Sequence, residues 1–492
     1  MVELAHSLKI KGVFQLRINR SSCTAVLVGK EASVDHATMI ARNEDAEGGI
    51  NPKRLIYVPA QTASREFKST FNGFHVQLPG DALGHTLTPM ADTSTDGEWG
   101  ESGINSANVG MSATETEFTN AAMLGLDPLV PDGIGEEAML SCVLPFVKTA
   151  QEGVERLGQL ISEFGTCESN GIAFNDVNEV WYFETVGGHH WAAQRIPDDA
   201  YVIAPNQTGI QEINFADSAN FITAPDLQAF AQKNHLNTAR EGFNFREIFG
   251  EDLRSDRFYN TPRVWAAQRH FQKDLPEVPE SRELPFIQHA PRKISVIDVA
   301  MVLSDHMQGT PYDPYGRTGT DEEKSRYRPI SMNRNQEMHI LEIRSDVPAS
   351  YRAIHWLAMG MNPFTFPLPF YANVSDTPAF FKNTTNDATT ENWYWLNKII
   401  ANMVDPLFTK RDQDVMNRIL NFRRAGFALG SGTVAKNDAG LAASTADATA
   451  QLTAANQAMA DQAVALTKAL LTDVTTMAAD RLTLQFEKGG EM

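Results

Sequence analysis

The three cysteines of this chain are side chains that could act as nucleophiles. Cys23, Cys142 and Cys167 are an odd number at wide spacing, a pattern typical of neither a disulfide framework nor a zinc site. Cys142 and Cys167 stand among apolar or small residues, which indicates buried core thiols. Cys23 begins an apolar run after a basic leader, and its position leaves a catalytic nucleophile and a structural thiol as equal alternatives.

The residues around Cys23 predict a β-hairpin. The apolar runs Cys23–Gly29 and Ala37–Arg42 flank a polar turn. If the hairpin is centred at 33–34, facing residues have numbers that sum to about 67, so Glu44 lies opposite Cys23. The charged residues at the end of the second run then return beside the thiol.

Arg42 and Asp45 belong to this charged cluster. A guanidinium beside a thiol favours the thiolate, which is the form of cysteine that acts as a nucleophile. The alternative is a solvated turn of mixed charge, which most such clusters are. The predicted proximity to Cys23 favours the functional interpretation.

Five ordered segments carry a resemblance to a known family. They are SSCTAVLVGKEAS with TMIARNEDA, 99–116, 144–165, 179–207 and 328–344. Together they resemble the dipeptidase A family of N-terminal-nucleophile (Ntn) cysteine hydrolases, a group that also includes the secernins. The resemblance runs over most of the chain, and five segments in order are far more specific than any one of them.

The resemblance implies an α+β fold, a four-layer αββα Ntn-hydrolase sandwich. In this fold the nucleophile is the first residue of the mature chain, and its own α-amino group is the general base. An α-amine with a pKa of about 8 suits proton transfer near neutral pH. The resemblance therefore implies autocatalytic cleavage between Ser22 and Cys23, which removes residues 1–22 and leaves 23–492 as a single catalytic domain.

The leader departs from the family pattern, in which the cysteine lies only a few residues from the start. It is either a longer propeptide or an overextended gene start. If it stays attached, the amine base is absent and an inactive precursor is expected.

The resemblance also implies roles for individual residues. Arg42 and Asp45 match the R-N-x-D turn shared with the bile salt hydrolases and penicillin V acylases, where the arginine is near the thiol and the aspartate orients the α-amine. Asn206, in APNQTG, resembles the asparagine that helps hold the oxyanion or the nucleophile, a task that suits an amide N–H. The alternative for Asn206 is a loop asparagine that starts a turn.

Glu115 marks a departure from the acylase pattern. Counting from Gly103, it stands where those relatives carry an asparagine for the oxyanion. A carboxylate cannot donate a hydrogen bond unless it is protonated, so Glu115 is a poor oxyanion donor. It could instead receive a substrate ammonium group, which fits peptides with a free N-terminus.

No metal or cofactor site is predicted. His189 and His190 are adjacent, and adjacent residues on a strand point to opposite faces. Neither an H-E-x-x-H motif nor a cysteine pair completes a site around them. Gly430 and Gly432 lack the Lys-Ser/Thr ending of a phosphate loop and indicate turns.

The remaining pattern predicts the elements of one continuous domain. Strands are expected at 55–58, 74–78, 179–185, 190–194, 200–205, 338–344 and 354–359. A helix broken at Pro145 is expected within 135–165. One long amphipathic helix is expected at 442–484, where it serves core packing or a subunit contact in a homo-oligomer.

The composition of the chain argues against several classes of binding partner. The 492 residues carry 42 Lys and Arg against 61 Asp and Glu, and the net charge of −19 disfavours binding to nucleic acid or anionic lipid. Prolines at 363, 367 and 369 interrupt the longest uncharged apolar stretch, so no membrane span is predicted. The leader has no uninterrupted apolar region typical of a signal peptide, and the cysteine usage favours a reducing, cytoplasmic compartment.

The leading hypothesis is a cytoplasmic, cysteine-dependent dipeptidase in which the Cys23 thiolate attacks small peptide substrates and forms an acyl-enzyme. The first alternative keeps this chemistry on N-acyl amides, as in the bile salt hydrolases and penicillin V acylases, and Glu115 argues against it. The second alternative is a non-catalytic, secernin-like regulatory protein that keeps its leader.

Overall fold

The structure is a computed structural model. It describes residues 23–46, 50–94, 97–272, 275, 278–409, 412–443 and 448–480. The expected leader, residues 1–22, lies outside the described residues, and so does the expected cleavage at its end. Within the described ranges, no helix combines the length and the apolar composition needed to cross a bilayer.

The described residues form seventeen strands. In chain order they are β1 (Thr24–Val28), β2 (Ala37–Asp45), β3 (Ile56–Val58), β4 (Arg65–Lys68), β5 (His75–Leu78), β6 (His85–Leu87), β7 (Ser102–Ile104), β8 (Gly110–Thr116), β9 (Asn170–Asn175), β10 (Val180–Val186), β11 (His190–Ile196), β12 (Ala200–Ala204), β13 (Phe221–Thr223), β14 (Ile287–His289), β15 (Asn335–Arg344), β16 (Ala353–Met359) and β17 (Leu368–Tyr371). All seven of the expected strands are present, with ends that differ by a few residues.

The same residues form thirteen α-helices. They are α1 (Ala121–Leu126), α2 (Glu136–Val143), α3 (Ala150–Phe164), α4 (Leu227–Lys233), α5 (Phe245–Phe249), α6 (Asp256–Tyr259), α7 (Thr261–Phe271), α8 (Val296–Leu303), α9 (Asp321–Lys324), α10 (Ala379–Lys382), α11 (Trp393–Thr409), α12 (Gln413–Ala442) and α13 (Ala448–Asp480). The break predicted at Pro145 is confirmed, because a 3-10 turn that contains this proline separates α2 from α3.

Two antiparallel sheets lie face to face. One has the strand order β14-β12-β1-β2-β15-β16-β17, and the other has the order β13-β11-β10-β9-β8-β7. The helices α2 and α3 cover the six-stranded sheet, while α7, α8 and the three C-terminal helices α11 to α13 cover the seven-stranded sheet. The four layers confirm the αββα arrangement that the resemblance implied.

The predicted hairpin forms the centre of the seven-stranded sheet. In its ladder Thr24 faces Asn43, Ala25 faces Arg42, and Val28 faces Met39. The numbers in each pair sum to 67, so the predicted register is confirmed.

Side chains of the hairpin alternate between the two faces of the sheet. Leu27 and Ile40 belong to the apolar core between the sheets. Val26 belongs to the core under the helices, together with Val299 of α8. Because strand side chains alternate with a period of two, Arg42 points from the same face as Ile40, into the space between the sheets.

The expected C-terminal helix has a different start. The apolar spacing predicts one helix over 442–484, but α12 ends at Ala442 and α13 begins at Ala448. Residues 444–447 and 481–484 of that prediction lie outside the described residues. The apolar positions that predicted the helix, among them Met459, Leu470 and Val474, are buried in the core against α11 and α12. The pattern therefore identified the packed face of α13. The turns expected at Gly430 and Gly432 are wrong, because both glycines lie inside α12.

Candidate active site

The residues expected to act together meet at the open end of the hairpin. Cys23 directly precedes β1, and its side chain is 1% exposed. Arg42 Nη1 donates a hydrogen bond to Cys23 Sγ at 3.1 Å. Arg42 reaches the sulfur diagonally across the hairpin, because its direct partner in the ladder is Ala25.

The Arg42 guanidinium is held on its other sides as well. Nη1 donates to the carbonyl of Thr114 at 2.7 Å, and Nη2 donates to the carbonyl of Ala113 at 2.7 Å. Nη2 also forms a buried ion pair with the Glu101 carboxylate. These contacts fix the orientation of the guanidinium relative to the sulfur.

A second cation continues this buried network. Lys53 Nζ lies 2.9 Å from Glu101 and 3.0 Å from Glu44. Burial alone would raise the pKa of Glu101, but Lys53 and Arg42 together hold it below its usual value. An ionised Glu101 is therefore available to orient Arg42. Lys53 and Glu101 are not predicted from the sequence as site residues, although Glu101 lies in one of the resembling segments.

The Cys23 thiol lies in an environment that opposes its ionisation. Burial raises the pKa of this thiol well above its usual value, and Arg42 opposes that shift. The carboxyl groups of Glu115, Glu136 and Asp45 raise it further. A base at the sulfur is therefore needed before the thiol can act as a nucleophile.

Asp45 lies in the same cluster and is anchored by two neighbours. Its carboxylate accepts hydrogen bonds from Arg328 Nη2 and from Asn335 Nδ2. Asn335 is its ladder neighbour on β15. Burial raises the pKa of Asp45, while Arg328 and Arg263 oppose that shift.

Arg263 is a residue of the site that the sequence analysis missed. It is fully buried on α7, where Nη1 donates to the Cys23 carbonyl oxygen and, at 2.9 Å, to Thr24 Oγ1. Nη2 donates to Asn206 Oδ1 at 2.8 Å. Burial and the charge of Arg328 lower the pKa of Arg263 to about 9. No local motif marks this arginine, which is 240 positions from Cys23.

The structure brings Asn206 to the site through Arg263. Its Nδ2 donates to the Thr116 carbonyl at 3.0 Å, and its backbone carbonyl accepts from Asn260 at 3.0 Å. The side-chain amide of Asn206 is thus hydrogen-bonded through both its oxygen and its nitrogen. A loop asparagine that only starts a turn would not form both contacts.

Glu115 lies on β8 between two residues that contact this site. The Thr114 carbonyl accepts from Arg42, and the Thr116 carbonyl accepts from Asn206. The Glu115 side chain is 1% exposed, and neither carboxyl oxygen has a hydrogen-bond partner among the described residues. Burial raises its pKa to about 8.

His189 and His190 share one carboxylate partner, although the sequence predicts side chains on opposite faces of a strand. His189 lies in the turn before β11, so the alternation of a strand does not separate the two rings. Both Nδ1 atoms bind the Asp127 carboxylate, at 2.8 Å for His189 and 2.7 Å for His190. Across the described part of the chain, no group of three or more His, Cys, Asp or Glu side chains has the arrangement of a metal site.

The other two cysteines make none of the contacts described above. Cys142 is fully buried in the core, as expected. Cys167 is partly exposed, so the prediction of a buried core thiol is wrong for this residue.

Comparison with solved structures finds a conjugated bile acid hydrolase mutant from Clostridium perfringens. The match covers 69% of this chain and 89% of that chain at 10% identity, with a TM-score of 0.29. This likeness is too weak to carry an argument about the site.

Comparison of sequences gives a much closer match. A dipeptidase of Bifidobacterium longum (strain NCC 2705) is 44% identical over 471 residues, covering 89% of this chain and 87% of that protein. A probable dipeptidase B of Lactococcus lactis subsp. lactis (strain IL1403) is 43% identical over 477 residues, covering 95% and 98%. The model of peptidase family C69 matches residues 22–421. The chain therefore belongs to peptidase family C69.

Proposed function

We propose that this chain is a cysteine-dependent dipeptidase whose nucleophile is Cys23, exposed as the first residue after removal of residues 1–22. The observation that carries the proposal is the 3.1 Å hydrogen bond from Arg42 to Cys23 Sγ at the start of a central strand. A guanidinium in this position stabilises a thiolate, as a nucleophilic cysteine requires. The dipeptidase names of its relatives supply the substrate class.

The reaction uses the α-amino group that processing exposes on Cys23. This amine accepts the thiol proton as the sulfur attacks the carbonyl carbon of the peptide bond. The tetrahedral intermediate collapses when the amine returns that proton to the leaving amino acid, and the first residue of the dipeptide remains as a thioester. The leaving amino acid departs at this step. Water then attacks the thioester while the amine accepts a proton from that water, the amine passes the proton to the departing sulfur, and the first residue leaves as a free amino acid.

The buried charges have separate tasks in this mechanism. Arg42 stabilises the thiolate, and Asp45, held by Arg328 and Asn335, orients the α-amine. Asn206 and Arg263 hold the backbone of the nucleophile, through the contact of Arg263 with the Cys23 carbonyl. Burial keeps the thiol protonated until the amine accepts its proton, which explains why the precursor is expected to be inactive.

The test compares Cys23→Ala with Cys142→Ala, a matched control that removes a second buried thiol, one that belongs to the apolar core. Cys23→Ala should abolish dipeptide hydrolysis, and Cys142→Ala should retain it. Intact-mass measurement should show that the active wild-type chain begins at Cys23. Dipeptide turnover by Cys23→Ala would overturn the mechanism, and an active chain that keeps residues 1–22 would exclude the amine base.

The same preparation separates the proposal from its alternatives. Hydrolysis of acyl-blocked amides without hydrolysis of dipeptides would indicate an N-acyl amide hydrolase. A stable chain that never loses its leader and hydrolyses neither class would indicate a non-catalytic role.

A further inference from the structure

The Glu115 carboxyl group is buried beside the nucleophile without a hydrogen-bond partner among the described residues. Its position is fixed by the strand, because Thr114 and Thr116 on either side bind Arg42 and Asn206 through their carbonyl oxygens. A buried carboxyl group that lacks a partner is energetically costly, so its retention at this position calls for a ligand.

Neighbouring carboxyl groups of the site already have partners. Asp45 is bound by an arginine and an asparagine, and Glu101 is bound by Lys53 and Arg42. Glu136 accepts a long hydrogen bond of 3.4 Å from a backbone N–H, and its own N–H is bound by another carboxylate. Of the three carboxyl groups whose charges act on the thiol, Glu115 is therefore the one best able to accept a new cation.

The geometry of a dipeptide requires a cation close to the attacking thiol. Its α-ammonium nitrogen is two bonds from the scissile carbonyl carbon, a distance of about 2.5 Å. The sulfur approaches that carbon to about 3–3.5 Å before it attacks. The ammonium nitrogen must therefore lie within roughly 6 Å of Cys23 Sγ, and the group that receives it within about 3 Å of that nitrogen. This confines the acceptor to residues near the thiol, and Glu115 is one whose charge acts on it.

We propose that Glu115 binds the α-ammonium group of the substrate, so that the enzyme selects peptides with an unblocked amino terminus. This inference rests on the proposed function of Cys23. It adds a residue that determines specificity. Glu115 distinguishes peptides with a free amino terminus from N-acyl amides, which the same nucleophile could also cleave.

Binding should change the protonation of this carboxyl group. Burial raises the pKa of Glu115 to about 8, while Arg42, Arg263 and Arg328 oppose the shift and Asp45 adds to it. Below that pH the carboxyl group is protonated before substrate binds. An ammonium ion that enters the site stabilises the carboxylate, and the carboxyl proton then passes to solvent.

The test measures kcat/KM for alanyl-leucine and for N-acetyl-alanyl-leucine. The wild-type enzyme should prefer the unblocked peptide by roughly 100-fold or more, because acetylation removes the cation that Glu115 binds. Glu115→Gln should reduce this ratio to about 10 or below, mainly because kcat/KM for the unblocked substrate falls. The matched control is Glu117→Gln, a buried carboxyl group on the same segment that already accepts from Tyr182 and should keep the wild-type ratio.

A second measurement covers the case in which Glu115→Gln does not fold. Leucinol carries an ammonium group and no scissile bond, so it should inhibit the wild-type enzyme competitively. N-acetyl-leucinol should inhibit at least 10-fold more weakly. Equal inhibition by the two compounds, or an unchanged substrate ratio in a folded Glu115→Gln enzyme, would overturn the role of Glu115. Activity retained in Cys23→Ala would instead overturn the proposed function.

Discussion

Arg42 Nη1 binds Cys23 Sγ at 3.1 Å and the Thr114 carbonyl at 2.7 Å. Cys23 and Arg42 belong to the hairpin of the seven-stranded sheet, whereas Thr114 lies on β8 of the six-stranded sheet. The guanidinium thus fixes the sulfur relative to both sheets at once. Through Glu101, the same guanidinium is coupled to Lys53, so the site depends on a continuous buried network of charges.

Replacement of Arg42 by lysine should lower kcat/KM by roughly 100-fold while the chain stays folded, because one ammonium group cannot reproduce four planar contacts. It should also move the pH profile of iodoacetamide alkylation of Cys23 to higher pH, since Arg42 lowers the pKa of the thiol. Alkylation is measured by mass spectrometry of the Cys23 peptide. Arg418→Lys, at an exposed ion pair on α12, is the control. Equal activity in both variants would show that the guanidinium geometry is unimportant.

Replacement of Lys53 by methionine should lower the free energy of unfolding by about 3 kcal/mol or more. Lys53 is 1% exposed between Glu44 and Glu101, and its removal leaves these carboxyl groups buried without their shared cation. Denaturant unfolding measures the loss. Lys468→Met removes an exposed lysine paired with Glu391 and should cost less than about 1 kcal/mol. Similar losses in the two variants would contradict the structural importance of the buried network.

The contacts that sequence could predict are local ones. The position of the turn determines the register of a two-stranded hairpin, which is why the proximity of Arg42 to Cys23 followed from their numbers. Helix periodicity likewise identified the buried face of α13, but its ends depend on how α12 and α13 pack, and the periodicity does not encode that packing.

Other parts of the site arise from long-range packing. Arg263 reaches Cys23 only because α7 packs on the seven-stranded sheet, and a single arginine in a helix has no local signature of that contact. Lys53 and Glu101 meet through two loops. Lys53 lies in the loop before β3, and Glu101 lies in the loop between β6 and β7. Glu115 has no hydrogen-bond partner in the part of the chain that the structure describes, which is likewise a property of the packed site that residue type alone cannot reveal.

Replacement of Arg263 by lysine should lower kcat by roughly 10- to 100-fold with KM changed by less than about 3-fold. Lysine cannot bind the Cys23 carbonyl, Thr24 Oγ1 and Asn206 Oδ1 at the same time, so we expect Cys23, the proposed nucleophile, to be displaced while substrate binding is retained. Steady-state kinetics separate the two parameters. Arg269→Lys, on the same helix but stacked over Trp265, should leave both parameters unchanged. A rise in KM alone would instead indicate that Arg263 binds substrate.

The stability of the folded chain should depend on pH through its buried carboxyl groups. Burial raises the pKa of Glu115, Glu44 and Glu337 to about 8 each, from a usual value of 4.5. Between these two values the folded chain holds protons that the unfolded chain has released. The free energy of unfolding therefore falls as pH rises through this interval and levels off above it.

Replacement of Glu115 by glutamine removes one of these groups, so the stability of the variant relative to wild type should increase with pH between 5 and 8. The upper limit is about 1.4 kcal/mol for each unit of pKa shift. Denaturant unfolding at several pH values measures the difference. The exposed Glu391, whose pKa Lys468 holds below its usual value, provides the control, and Glu391→Gln should show a constant difference in this interval. A constant difference for Glu115→Gln as well would mean that Glu115 is ionised throughout, in contact with its neighbouring arginines.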